Sequence, residues 1–441
     1  MRVSTDELAT LAPGESPSPD MSHYWRALTF DTYDGRGWRN SPVEQAELSA
    51  GDPWFEETLP WRRPIKQRVE MESSGNRALF AAGEPLAVNR PYRSLVHTPS
   101  DAPADDLVAL TANGRRYEIV SLVPTVGELT LRAAGSAYPA HIAEQYLQLP
   151  QLPSRVSELA RTITAGAATS YDQAVAIERY LRRYPYDLTV IPAPPKQDTV
   201  DYFLFDAKTG YCDYYASAMV VLARSLGIPA RLATGFATGD YDPEAKAFLV
   251  HGDDAHSWPE LYFPEAGWIR FEPTGARATV PMANVSEVRP EYGALDQARL
   301  QSDLETFRSE QASRQQLWWI IAFVVLGLLA SVGMAVWLRR PQPALEESYL
   351  LLGRWGRRLG RPAGSGETAS EFGRGLSRQV RAVDAAKGGP VADGVLEYVD
   401  RFEAAQYGAS HEEEAQEARR QWPRLERALR NVWLRRRVGR R

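Results

Sequence analysis

Cys212 is the single cysteine among 441 residues, so the chain can form neither an internal disulfide nor a multi-cysteine zinc site. It stands in Gly210-Tyr211-Cys212-Asp213-Tyr214-Tyr215-Ala216-Ser217-Ala218. Downstream, Ala216, Met219, Val220, Ala223 and Leu226 recur at helical spacing, and Gly227-Ile228-Pro229 stops the run. The spacing predicts that Cys212 sits at or just before a helix N-terminus. Unpaired backbone N–H groups and the helix dipole there favour a thiolate, the form that attacks carbonyl carbon. A lone cysteine is more often a buried structural residue. Gly210 and Tyr211 argue instead for a tight turn, and a suitable base lies downstream.

That base is His256, in Gly252-Asp253-Asp254-Ala255-His256-Ser257-Trp258-Pro259-Glu260-Leu261-Tyr262-Phe263. The alternation predicts a strand with Ser257, Leu261 and Phe263 on one face and His256, Trp258, Glu260 and Tyr262 on the other. Pro259 removes a ladder donor, which predicts an edge strand or a bulge. A turn at Pro264–Gly267 leads into Trp268-Ile269-Arg270-Phe271-Glu272-Pro273-Thr274. A hairpin of these two runs returns Glu272 to the start of the first strand, beside His256. Nucleophile, general base and orienting carboxylate then follow in the order Cys212, His256, Glu272. Asp253 or Asp254 is the competing orienting acid, but a sequence neighbour on a strand faces away or lies too far along it. Cys212, His251 and His256 with Asp253 or Asp254 form a less favoured metal-site alternative.

These stretches resemble the transglutaminase-like superfamily: Gly-Tyr-Cys-Asp-Tyr-Tyr-Ala-Ser-Ala-Met at 210–219, Leu-Gly-Ile-Pro-Ala-Arg at 226–231, Thr-Gly-Phe at 234–236, Asp254-Ala255-His256-Ser257-Trp258, and Gly267-Trp268 through Phe271-Glu272-Pro273-Thr274. The resemblance covers about 150–275. It implies that the family's catalytic triad falls on Cys212, His256 and Glu272. Position 272 is Glu where the family pattern more often has Asp. Tyr24-Trp25-Arg26, and Phe30 through Trp38, resemble the stretch ahead of the catalytic domain in bacterial membrane-bound transglutaminase-like proteins of the TgpA type. That resemblance implies several leading transmembrane helices, one later helix and a helical tail.

A membrane span is legible without the resemblance. Leu317 to Leu338 carries no charge over 22 residues, long enough to cross a hydrocarbon core of about 30 Å. Trp318, Trp319 and Trp337 mark its ends. The flank at 302–316 holds Arg308 and Arg314; the opposite flank holds Arg339, Arg340, Arg354, Arg357 and Arg358. The cation excess predicts a cytoplasmic tail and an extracytoplasmic catalytic domain. Bulk charge agrees: residues 339–441 hold 21 Lys and Arg against 14 Asp and Glu, a net of +7, leaving −12 on 1–338 and −5 overall. The first residues form no signal peptide. The resemblance therefore implies leading helices from a longer gene or a separate partner chain; a cytoplasmic catalytic domain is the alternative.

The remaining pattern divides into a flexible lead at 1–20, a β-rich domain at 21–137, a catalytic domain at 138–276, a linker at 277–316, the span at 317–338 and a helical tail at 339–441. In the β-rich part, runs at Trp25–Phe30, Ile65–Met71, Tyr92–His97, Arg116–Pro124 and Glu128–Arg132 read as strands. Tyr24, Trp25, Phe30, Tyr33, Trp38, Trp54 and Trp61 read as packing more readily than as a binding groove. Three helices are expected over 140–190, with Ser170 capping the third. Pro192–Lys196 is a candidate cleft wall, and four tail helices form a small bundle. The basic end, Arg435 to Arg441, suits anionic headgroups.

The expected fold is α+β: a papain-like, transglutaminase-like core with a β-rich N-terminal domain, one transmembrane helix and an all-α C-terminal domain. The expected activity is cysteine acyl transfer from a carboxamide or peptide carbonyl to an amine or to water. The Cys212 backbone N–H is an oxyanion donor. A non-catalytic binding module is the alternative. The expected partners are a protein or peptide substrate, with the cell envelope as one source, and membrane lipid. No cofactor, metal or nucleic acid is expected.

Overall fold

Strand order decides which parts of the chain belong together. A computed structural model describes residues 1–55, 61–72, 78–97, 106–278, 292–338, 343–408 and 411–438. These fall into two units, Met1–Trp319 and Ile320–Arg441. In the first unit, a four-stranded antiparallel sheet carries Gly267–Arg270, Ala255–Phe263, Ala230–Phe236 and Trp25–Phe30, in that order. The last of these strands comes from the N-terminal region. Reciprocally, the hairpin Asp240–Asp242 and Ala247–Leu249 joins Arg2–Thr5, Arg62–Glu70, Arg116–Pro124 and Glu84–Val88 in a six-stranded sheet. The two regions thus exchange strands. A third sheet holds Val43–Leu48, Tyr92–His97 and Leu107–Thr111.

Several expectations are corrected. Residues 1–20 are not a loose lead: Arg2–Thr5 is an interior strand, and Val3, Leu8 and Leu11 are buried. Glu128–Ala133 is a helix rather than a strand, with Leu131 facing the core. Thr169, not Ser170, caps the helix Ser170–Leu181, its hydroxyl accepting from the Asp172 N–H. Ala255–Phe263 is an interior strand, with no shift of register against Ala230–Phe236 at Pro259. The reason lies in hydrogen-bond direction. Pro259 turns its carbonyl toward the far end of the short neighbouring strand and accepts from the Phe271 N–H at 3.1 Å. The missing Pro259 donor therefore faces a ladder that ends at the Glu260–Arg270 pair.

Gly235 marks a second close approach. The Ala230–Phe236 strand shifts register against Trp25–Phe30 between Thr234 and Gly235. A Cβ on Gly235 would lie 2.0 Å from the Trp25 carbonyl oxygen, so no larger residue fits without moving the backbone. Under this sheet the helix Cys212–Ser225 is buried along most of its length, packed with Leu261, Phe263 and Ile269.

Between the sheets lies a closed ring of buried charge. Arg26 donates to Glu260 at 3.0 Å and to Glu84 at 2.8 Å. Arg231 donates to Glu260 at 2.8 Å and to Glu84 at 3.3 Å. Each residue sits on a different strand, and all four are buried.

Beyond the sheets, Tyr292–Leu338 forms one helix, so part of the expected linker is helical; 279–291 lies outside the described residues. Its first half packs on the first unit. Leu304 and Phe307 are buried, and Asp303 meets Lys66 Nζ at 2.6 Å. From Leu317 to Ala335 its side chains are exposed. Among the described residues this is the one helix long and apolar enough to cross a membrane. Arg339 and Arg340 lie outside the described residues, as do Gly439–Arg441 of the basic end. Among the described residues the second unit has four helices after Leu338, Leu345–Leu359, Ala369–Val383, Gly388–Tyr407 and His411–Val438, around a core that includes Leu352, Phe372, Tyr398 and Trp422.

The charge ring makes a stability prediction. Burial alone would push the Glu260 carboxyl up, but Arg26 and Arg231 outweigh it and hold it down to about 2. A depressed carboxylate stabilises fully above its ordinary value of 4.5 and loses that contribution as pH falls toward about 2. Glu260→Gln should lower unfolding stability at pH 7 by about 3–5 kcal/mol, because it leaves buried guanidinium charge uncompensated. The deficit should shrink as pH falls through that window. Urea unfolding of the chain measures both; a pH-independent deficit would contradict this assignment.

Candidate active site

The helix Cys212–Ser225 opens at the cysteine, with Tyr211 in extended conformation as its N-cap. Two backbone N–H groups, those of Ser257 and Asp213, point at the Cys212 sulfur. The Ser257 amide places the thiol beside the residue that follows His256. Ser257 Oγ also donates to Asp213 Oδ1 at 2.5 Å, tying the first turn of the helix to the strand. The thiol itself lies 3.9 Å from Asp213 Oδ1. Among the described residues no hydrogen bond joins it to the His256 ring.

His256 and Glu272 are brought together directly. His256 Nε2 and Glu272 Oε2 are 2.7 Å apart, with both side chains buried. Oε1 accepts the Thr274 N–H at 2.9 Å. Burial pushes the Glu272 carboxyl up, but hydrogen bonds from His256, Tyr24 and Thr274 outweigh it and hold it below the usual range. An ionised carboxylate only accepts, so the Nε2 that faces it carries a proton. Nδ1 has no protein hydrogen-bond partner among the described residues.

The competing acids lie elsewhere. Asp254 Oδ2 accepts the His251 N–H at 2.8 Å in a short turn. Among the described residues no group of three or more His, Cys, Asp or Glu side chains is arranged to hold a metal ion.

Sequence reasoning missed the groups that hold this pair. Tyr24 donates its hydroxyl to Glu272 Oε2 at 2.7 Å from 248 residues away, a distance no local pattern signals. The Glu272 N–H donates to Glu178 Oε1 at 2.8 Å, and Arg182 donates to the Glu272 and Thr274 carbonyls at 2.7 and 3.1 Å. Glu178 lies in the last turn of the helix Ser170–Leu181 and Arg182 caps its end, and together they clamp the backbone of the acid. Burial pushes the Glu178 carboxyl up to about 7. Arg36 donates to the carbonyls of Ala193, Pro194 and Gln197 and fastens the loop expected to form a wall. Trp38 Nε1 donates to Ser217 Oγ on the nucleophile helix at 2.9 Å. Trp25 and Tyr33 are buried packing.

Residues 157–273 match the family described as the transglutaminase-like superfamily, and residues 1–128 match the TgpA N-terminal domain. The chain carries a transglutaminase-like core. The YebA protein of Bacillus subtilis, described as uncharacterized, is 33% identical over 272 residues, 57% of this chain and 37% of its own length. A protein-glutamine gamma-glutamyltransferase of Pseudomonas aeruginosa is 29% identical over 257 residues, 57% of this chain and 35% of its own length. This chain therefore spans about a third of the length of these relatives. The crystal structure of the periplasmic domain of TgpA from Pseudomonas aeruginosa matches 62% of this chain and 86% of that one, at 27% identity and a TM-score of 0.44. The strand exchange explains why both matched regions are needed to describe one site.

The helix start does not make a resting thiolate, contrary to the reading from position alone. Burial pushes the Cys212 thiol up to about 11 and the Asp213 carboxylate adds to this; the Ser257 and Asp213 amides only partly offset them. At pH 8, iodoacetamide should modify native Cys212 about tenfold or more slowly than the unfolded chain. Asp213→Asn should speed the native reaction. Intact-mass spectrometry reads both, and a native rate equal to the unfolded rate would contradict the raised thiol.

Proposed function

We propose that this chain is a membrane-anchored cysteine acyltransferase acting on glutamine side chains, with Cys212 as nucleophile, His256 as base and Glu272 as orienting acid. The observation that carries this reading is the buried 2.7 Å contact of His256 Nε2 with Glu272, beside a helix that begins at Cys212. The similarity to the protein-glutamine gamma-glutamyltransferase of Pseudomonas aeruginosa supports the choice of glutamine.

In this mechanism the thiol rests protonated, in keeping with its raised pKa. As Sγ attacks the carboxamide carbon, its proton passes to His256 Nδ1, and Glu272 stabilises the imidazolium that forms. The Cys212 backbone N–H at the helix start receives the developing oxyanion. The imidazolium returns the proton to the departing nitrogen, so ammonia leaves and a thioester remains on Cys212. An amine, deprotonated by His256, then attacks the thioester; an isopeptide bond forms and the thiol is regenerated. Water in place of the amine gives deamidation by the same steps.

The exposed apolar run from Leu317 to Ala335 is the proposed anchor. The cation excess beyond it favours a cytoplasmic tail and an extracytoplasmic catalytic part. Reporter fusions after residues 316 and 345 should report opposite sides of the membrane. Reports from the same side would exclude a span.

The chain should couple a dansyl-tagged pentylamine to β-casein, and Cys212→Ala should abolish the coupling. Glu272→Gln should lower turnover by roughly 10³-fold or more with a modest change in melting, because an amide neither fixes the same tautomer nor stabilises imidazolium. Coupling that survives in Cys212→Ala would end the proposal.

A further inference from the structure

We infer that Tyr24, delivered by the N-terminal region, is a positioning residue of the site: its hydroxyl fixes the Glu272 carboxylate that in turn fixes the His256 ring. This rests on the acyl-transfer reading above and adds a fourth member to the set.

The geometry is specific. Tyr24 O–H and His256 Nε2 both meet the same oxygen, Glu272 Oε2, each at 2.7 Å. Because the carboxylate only accepts, the phenol must donate. Burial and the Glu272 charge raise the Tyr24 pKa far above its ordinary value, so the hydroxyl keeps its proton at working pH. With Thr274 N–H on Oε1, the carboxylate holds three donors in fixed directions. The Tyr24 ring also stands edge-on to His256, with centroids 5.2 Å apart at 90°, and to Trp258 at 5.1 Å. The Arg270 guanidinium lies over the same ring, 4.0 Å from its centroid. The imidazole is therefore held by its hydrogen bond and by the ring of the residue that shares its acceptor.

Tyr24 itself is held by its neighbours. Trp25 is buried and donates Nε1 to the Thr238 carbonyl at 3.1 Å. Arg26 enters the buried charge ring with Glu84 and Glu260. Two residues from Tyr24, then, the chain is locked between sheets. The other charged groups facing Glu272 are Glu178, which accepts its N–H, Arg182, which grips its carbonyl, and Arg270; Arg277 acts on Tyr24 more weakly. None of these donates to a carboxylate oxygen of Glu272.

Tyr24→Phe separates the hydroxyl from the ring, since Phe keeps the contacts with His256, Trp258 and Arg270. In β-casein coupling by the full chain, kcat should fall about tenfold with KM within about twofold. Losing a donor leaves Glu272 a stronger acceptor and favours imidazolium. The acidic limb of kcat/KM should therefore move up by about half a pH unit or more. The melting temperature should stay near that of the unsubstituted chain, whereas Tyr24→Leu should lower both melting and activity. Unchanged kcat and acidic limb in Tyr24→Phe would overturn the inference. So would a fall in kcat that follows melting while the limb stays in place. Should the unsubstituted chain show no Cys212-dependent coupling, the acyl-transfer reading falls by itself. The inference is then read from the pH profile of Cys212 alkylation by iodoacetamide. A shift between the unsubstituted chain and Tyr24→Phe that vanishes in a His256→Gln background supports it, and superimposable profiles overturn it.

Discussion

Two arginines and two glutamates buried between two sheets set the terms for everything around them. Left unpaired in a low-dielectric interior, any one of them would cost several kcal/mol. The ring closes only if Arg26, Glu84, Arg231 and Glu260 arrive together from four strands. Those strands belong to both matched regions of the chain. The constraint is therefore one of register as much as of stability. A slip of one residue in any strand would turn its ring member to the opposite face.

The candidate site lies on the same strands. His256, Trp258 and Glu260 share a face of one strand, and Trp258 donates to Glu260 at 3.3 Å while stacking on His256 at 6.1 Å. Tyr24 precedes Arg26 by two residues. Closing the ring thus brings Tyr24 and His256 to the same oxygen of Glu272. The electrostatic division within the site follows from burial. Glu272 keeps its charge in the interior because three donors surround it. Cys212 has two backbone amides set against an adjacent carboxylate, and its thiol stays protonated. Proton transfer to His256 during attack, rather than a standing thiolate, is the chemistry this arrangement favours.

Short-range features of this fold were legible in the sequence, and for physical reasons. Apolar spacing and the Gly227-Ile228-Pro229 stop define a helix beginning at Cys212. Alternation on both sides of Pro264–Gly267 defines a hairpin, and hairpin register alone carries Glu272 back to His256. What escaped depends on pairing across long separations. Nothing local says that Arg2–Thr5 pairs with Ala247–Leu249, or that Trp25–Phe30 completes the sheet of the histidine strand. Hence residues 1–20 read as a loose lead, and Tyr24 read as packing. Pro259 suggested an edge because the rule counts a lost donor without knowing which way it faces. The thiol was misjudged because helix position is visible in sequence, while burial and the reach of the Asp213 carboxylate are not.

If Cys212 takes an acyl group from a glutamine carboxamide, the covalent adduct can be trapped on its sulfur. The chain would be mixed with a short glutamine-containing peptide without amine acceptor, quenched in acid and examined by intact-mass and peptide-fragment spectrometry. The expected species is heavier by the peptide less one ammonia, maps to Cys212, and is discharged when a primary amine is added before the quench. A chain that turns over the peptide with no adduct on Cys212 at any quench time, and turns it over equally well after Cys212 is alkylated, would contradict acyl transfer through Cys212.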